Sequence, residues 1–218
     1  MKYRRNIITV AIDSPAAAGA GTQAKLISKE YNLLYLDTGK IYRLIAKLKL
    51  DNNKKFNYKF LRKKIKNIKI KELNKKNLLN NKVAYTAAII ARDIKIRNII
   101  KKFQIKCAYN PPKRFFGSVL DGRDITSVIM KKATFKFYIT ANLKIRANRR
   151  FIEFKKLNKQ ITYKEVLKSL KNRDYLDRNR KYNPLKKTKD SILINTSKLS
   201  KKACFKKIKG IMDKKLKA

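Results

Sequence analysis

The first apolar run of the chain, Ile7-Ile8-Thr9-Val10-Ala11-Ile12, is short and stops at Asp13. A run of this length without strict alternation, ended by turn residues, predicts a strand buried on both faces. The small residues Ser14-Pro15-Ala16-Ala17-Ala18-Gly19-Ala20-Gly21 follow, and then Ala24, Leu26, Ile27 and Tyr31 recur at helical spacing, predicting a helix from Thr22 to Glu30. Leu33-Leu34-Tyr35-Leu36 repeats the strand pattern, ends in Asp37-Thr38-Gly39, and leads into a helix over Ile41–Leu50. Between residues 51 and 82 Lys and Asn dominate, and the alternation Ile68-Lys69-Ile70-Lys71-Glu72-Leu73 fits one short strand in a small insert. One long helix is predicted over Val83–Cys107, with Ala87, Ile90, Ala91, Ile94 and Ile99 facing inward. Strands at Phe116–Leu120, Phe135–Ile139 and Ser191–Ile194 and helices at Leu143–Phe154, Thr162–Arg178 and Leu199–Leu216 complete the series. Strands alternating with helices indicate an α/β fold, a five-stranded parallel sheet covered by helices on both faces. Ligands of such sheets sit beyond the carboxyl ends of the strands, where Asp13–Thr22, Asp37–Arg43 and Asp121–Asp124 fall.

Composition narrows the chemistry. The 59 Lys and Arg against 14 Asp and Glu give a formal charge of +45, which by itself suggests an anionic partner. The basic residues are spread along the whole chain instead of gathering in one patch, so no dedicated nucleic-acid partner is expected, although a basic nucleic-acid-binding protein stays open as an alternative. The absence of histidine excludes His-based acid–base chemistry, Ser-His-Asp triads and His metal sites. Cys107 and Cys204 have no metal-ligand spacing, so no protein-built metal site is expected. Met1-Lys2-Tyr3-Arg4-Arg5 before an apolar run imitates a signal peptide, but Asp13 and Pro15 interrupt the run. With no stretch near the ~18 apolar residues of a membrane span, a soluble cytoplasmic protein is expected.

The loop Ser14-Pro15-Ala16-Ala17-Ala18-Gly19-Ala20-Gly21-Thr22, set between a strand and a helix, has the form of a phosphate cradle. Compared with G-x-x-x-x-G-K-[ST], Ser14 replaces the first Gly and Ala20 the Lys. Further on, Asp37-Thr38-Gly39-Lys40-Ile41-Tyr42-Arg43, Asp121-Gly122-Arg123-Asp124 and Arg173-Asp174-Tyr175-Leu176-Asp177-Arg178-Asn179-Arg180 each combine arginines with carboxylates. Arginine forks suit phosphate oxygens and carboxylates suit the amino and hydroxyl groups of a base and sugar, so a nucleotide satisfies both.

These motifs, in this order and over nearly the whole chain, resemble bacterial cytidylate kinases. The resemblance implies a P-loop nucleoside monophosphate kinase fold in a single domain, with an acceptor-binding insert over about 51–82 and a helical lid over about 146–180. It implies transfer of the ATP γ-phosphoryl group to CMP or dCMP with Mg²⁺, by a monomer. By the same resemblance residues 14–22 bind ATP. Thr38, Tyr42, Arg43, Arg97, Arg123, Asp124, Arg173, Asp177 and Arg180 bind CMP, and Arg123, Arg146 and Arg150 act on the transferring phosphoryl group. Lys40 or a lid arginine is then expected to supply part of the charge that Ala20 lacks. Two alternatives stay open: a nucleotide-binding pseudokinase, and another monophosphate kinase, since Gly21-Thr22-Gln23-Ala24 also resembles adenylate kinase.

Overall fold

The computed structural model describes residues 7–79, 81–157 and 160–217. The opening Met1–Arg5 segment, Asn80 of the expected insert and residues 158 and 159 of the expected lid lie outside them. Strands β1 (Ile8–Asp13), β2 (Leu33–Asp37), β3 (Gly117–Gly122), β4 (Phe135–Thr140) and β5 (Ile192–Asn195) form one parallel sheet in the order β2-β3-β1-β4-β5. The register aligns Asp13 with Gly122 and Asp37 with Asp121, so three neighbouring strands end level and present their polar termini together.

Period-two alternation assigns the strand residues to two cores. Val10, Ile12, Val119, Phe137 and Ile139 pack with Ala24 and Ile27 of α1 (Ala20–Glu30) and with Ile208 and Met212 of α8 (Lys201–Lys217). On the other face Ala11, Leu34, Leu36 and Leu120 meet Ile41 and Ile45 of α2 (Thr38–Asp51) and Ile100 and Ala108 of α5 (Ile94–Tyr109). A smaller cluster joins Ala16 of the loop to Ala147 of α6 (Leu143–Lys156) and to Val166 and Leu170 of α7 (Tyr163–Asn179). No helix among the described residues is long and apolar enough to cross a membrane.

Two expected elements differ. The helix predicted over Val83–Cys107 is two helices, α4 (Asn81–Ile90) and α5, separated at Ala91-Arg92-Asp93. Asp93 caps α5 by accepting from the backbone N–H groups of Lys95 and Ile96, and Tyr58 donates to its other oxygen. Capping of this kind contributes about 1 kcal/mol and turns the chain where an uninterrupted helix would run on. The strand expected at 68–73 is a 3₁₀ turn, Ile70–Asn74, after helix α3 (Tyr58–Lys66). Leu61, Ile65, Leu73 and Leu78 anchor the insert in the core, and the turn closes because the Lys69 N–H donates to the Glu72 carboxylate and the Glu72 N–H to the Lys69 carbonyl.

The loop between β1 and α1 has two residues with positive φ, Ala17 at 59° and Gly19 at 96°. Gly19 adopts this shape freely, whereas an L-residue in the left-handed region is strained by about 1 kcal/mol. Ala17→Gly is therefore expected to raise the melting temperature by about 2 °C in scanning calorimetry.

Candidate active site

The loop is tied to the sheet where it starts, since the Ser14 N–H donates to the Gly122 carbonyl at 3.2 Å. Its cap residue, Gly19, has no side chain to occupy the first N–H groups of α1, so they stay open to an anion. Ser14, Ala16, Ala18 and Ala20 are buried and form the base of the turn.

Beyond β3, Arg123 donates through Nε to Asp177 Oδ2 at 2.7 Å, and Arg173 reaches the same oxygen at 3.9 Å. Arg43 and Arg150 lie close enough to raise the local positive potential. Desolvation in the cleft, then the charges of Arg123, Arg43 and Arg150, bring Arg173 down to about 10. With 54% of its side chain exposed, Arg173 remains a cation at neutral pH. Arg123 and Arg173 thus share one carboxylate, with the charges of Arg43 and Arg150 nearby, a charge imbalance that an incoming phosphate dianion would relieve.

Beside this cluster Asp124 is held by Arg97 on one oxygen and by Arg180, 3.6 Å away, on the other. Arg97 and Asp124 are both buried, and Arg97 also donates to the Ala91 carbonyl at 3.0 Å. The Tyr42 ring lies below the Arg97 guanidinium at 5.8 Å. These three residues line a cavity of about 120 Å³. A groove of about 350 Å³ between Arg92, Tyr175, Tyr182 and Arg180 opens beside it. Thr38 fixes the edge by donating to the Asp121 carbonyl at 2.8 Å, and Gly122 is required here because a Cβ would lie 2.4 Å from the Thr38 hydroxyl.

A family model described as cytidylate kinase matches residues 10–214. The chain belongs to the cytidylate kinase family. It is 37% identical to the cytidylate kinase of Clostridium botulinum (strain Okra / Type B1), over 95% of this chain and 98% of the relative. With the cytidylate kinase of Fusobacterium nucleatum subsp. nucleatum it shares 40% identity over 88% of this chain and 91% of the relative. A crystal structure of an uncharacterized protein from Eubacterium ventriosum ATCC 27560 has the same fold. It aligns with a TM-score of 0.55 at 15% identity and covers 94% of this chain and 98% of that one.

Within this family fold, Thr38, Tyr42, Arg97, Arg123, Asp124, Asp177 and Arg180 gather around one cleft, with Arg43, Arg150 and Arg173 at its charged end. Arg43 also donates to the Leu78 carbonyl of the insert, and Arg180 to that of Asn183. Arg146 is placed differently from the expectation that it closes over a phosphoryl group. It is buried, with its donors taken by the carbonyls of Ala141 and Ala16 and by Asp174. Arg150 is partly exposed and, among the described residues, pairs with neighbouring Glu153 and the Phe154 ring. Lys40 does not turn to the loop, because its ammonium donates to Asn74 of the insert.

Sequence reasoning missed Asp13, whose carboxylate accepts from the N–H groups of Ile125 and Thr126 and from the Thr126 hydroxyl. It thereby fixes the π-helical turn Ile125–Ile129 that follows Arg123 and Asp124. Its signal was a carboxylate ending a strand otherwise made of apolar residues. Burial pushes Asp13 up to about 6. Asp121 is raised as well, first by burial and then by the nearby Asp37 carboxylate, with Arg123 and a Tyr35 hydrogen bond opposing. Between about pH 4 and 7 the folded chain holds protons that the unfolded chain has released, so stability from these groups rises as pH falls through that window. The melting temperature is expected to be higher at pH 5 than at pH 7.5, and Asp121→Asn should flatten the difference.

Proposed function

We propose that this chain transfers the γ-phosphoryl group of ATP to CMP or dCMP, giving ADP and CDP or dCDP. The observation that carries this reading is the pairing of a four-arginine cluster with a buried Asp124 held between Arg97 and Arg180. Cytosine presents an amino donor beside ring acceptors. Asp124 accepts from the amino group and Arg97 donates to the acceptors, whereas uracil puts a carbonyl oxygen against the carboxylate. Asp177 suits a sugar hydroxyl, and Arg43, Arg123 and Arg173 suit the acceptor phosphate. ATP lies with its phosphates on the N–H groups of residues 14–22.

In this reading an acceptor phosphate oxygen forms a bond to the γ-phosphorus as the bond to the β–γ bridging oxygen breaks. The protein contributes alignment and positive charge, so a chain without histidine suffices. Mg²⁺ shared with the phosphates fits the residues present. Asp121 lies against the first turn of α1, 3.5 Å from where a Gly21 Cβ would stand, and its Oδ1 is buried without a partner. Asp121 and the Thr22 hydroxyl would hold the ion, which would supply positive charge against the phosphates.

The relatives' shared name supports an enzyme over a binding-only protein, and a monomer is the simplest assembly for a cleft completed within one chain. The test is a coupled phosphoryl-transfer assay with ATP, Mg²⁺ and each monophosphate, run beside calorimetric titration with CMP. Turnover restricted to CMP and dCMP is expected. Binding of CMP without turnover would overturn the kinase, and faster turnover with UMP or AMP would overturn the base assignment.

A further inference from the structure

The carbonyls on either side of Ala17 are both clamped. Arg146 Nη1 donates to the Ala16 oxygen at 3.0 Å, and the Thr196 hydroxyl donates to the Ala18 oxygen at 3.0 Å. Thr196 follows the last residue of β5 and is itself gripped by Arg149, whose Nη1 donates to its hydroxyl at 2.9 Å and whose Nη2 donates to its carbonyl at 2.7 Å. Because that hydroxyl accepts from Arg149, its single proton is directed to Ala18. Arg146 and Arg149 are three residues apart on α6 and so share a face. Arg146 and Thr196 are each 4% exposed, which removes water as a competitor.

The peptide plane turns this clamp into a directing device. In a trans peptide the N–H points opposite to the C=O, so drawing the Ala16 and Ala18 carbonyls one way aims the N–H groups of Ala17 and Gly19 the other way. Ala17, in between, keeps its strained φ of 59° because both neighbours are held. We infer that Thr196 and Arg149, with Arg146, are positioning residues that aim the Ala17 and Gly19 amides at the ATP polyphosphate. With no lysine at position 20 these amides carry a larger share of phosphate binding. This inference rests on the proposed function, in that the loop is taken to receive ATP.

Thr196→Val keeps the shape and removes the hydroxyl, and Thr196→Ser retains it. Titration with ATP in the absence of acceptor should show about tenfold weaker binding for the Val variant and wild-type binding for the Ser variant, with CMP affinity unchanged in both. Arg149→Gln, which frees Thr196 from a different position, should give the same ATP-specific loss and secures the test if Thr196→Val does not fold. Adding Ala17→Gly to Thr196→Val should recover at least threefold, since glycine holds the same φ without strain. Equal weakening of ATP and CMP would reduce the clamp to a stability element and overturn the inference. Unchanged ATP affinity in both Thr196→Val and Arg149→Gln would overturn it alone, whereas a wild-type chain without ATP affinity would overturn the proposed function with it.

Discussion

An Ala20→Lys variant is expected to phosphorylate CMP about 100-fold faster than the chain as it stands. Ala20 is the first residue of α1, set between Gly19 and Gly21 and 4% exposed, so the place nearest the loop amides has no cation. Neither Lys40 nor Arg146 turns to it. Lys40 is bonded to Asn74, Arg146 is held by two carbonyls and Asp174, Arg43 is bonded to the Leu78 carbonyl, and Arg123 and Arg173 share Asp177. Negative charge grows on the β–γ bridging oxygen as the phosphoryl group leaves, and a preorganised donor at such a position is worth about 10² to 10³ in rate. Steady-state turnover with saturating ATP and CMP measures the gain, and CMP affinity by calorimetry should stay constant because position 20 is remote from Asp124. An unchanged rate would mean that another cation already reaches the leaving group when both substrates are bound.

Asp124→Ala should have the opposite character, weakening CMP at least 100-fold while sparing ATP. Arg97 and Arg180 approach the two oxygens of this carboxylate, and its removal leaves two guanidinium groups facing each other in a buried space. Breaking a buried pair by removing one partner costs about 3 to 5 kcal/mol, because the remaining charge loses both its counter-ion and its water. For a chain of this size that corresponds to a fall of about 10 °C in melting temperature. Calorimetric scans and titrations with CMP and ATP separate the two effects. A variant that melts early yet binds CMP as tightly as wild type would remove Asp124 from base recognition and leave it a structural role.

Much of this arrangement can be read from residue order. The apolar runs ending in Asp13, Asp37 and Asp121 locate three strand ends without ambiguity, since runs that short and continuous fit buried parallel strands. The break at Asp93 is harder to see, because Ala87, Ile90 and Ile94 stay in helical phase across it and mask the one available signal, an Asp in cap position before Ile94. The alternation at 68–73 misleads for a related reason, as period-two patterning also arises when single apolar residues anchor a turn. Arg146 and Arg150 are four residues apart on one helix and equivalent by sequence, and they are told apart by the partners that Arg146 finds elsewhere in the chain, the Ala16 carbonyl and Asp174 of α7. Thr196 has no local signal, for its partner carbonyl lies 178 residues earlier in the chain.

The separation of α4 from α5 has a chemical use. In a continuous helix the Ala91 carbonyl would already accept from the amide of Lys95, four residues on, and be directed along the helix axis. Instead the Lys95 amide is satisfied by the Asp93 side chain, and the Ala91 carbonyl turns to accept from Arg97 Nη1. One guanidinium edge is thereby pinned to main chain and the other to Asp124, which fixes the plane of the group on both sides. The interrupted helix thus converts a backbone acceptor into a mount for the arginine assigned to the base.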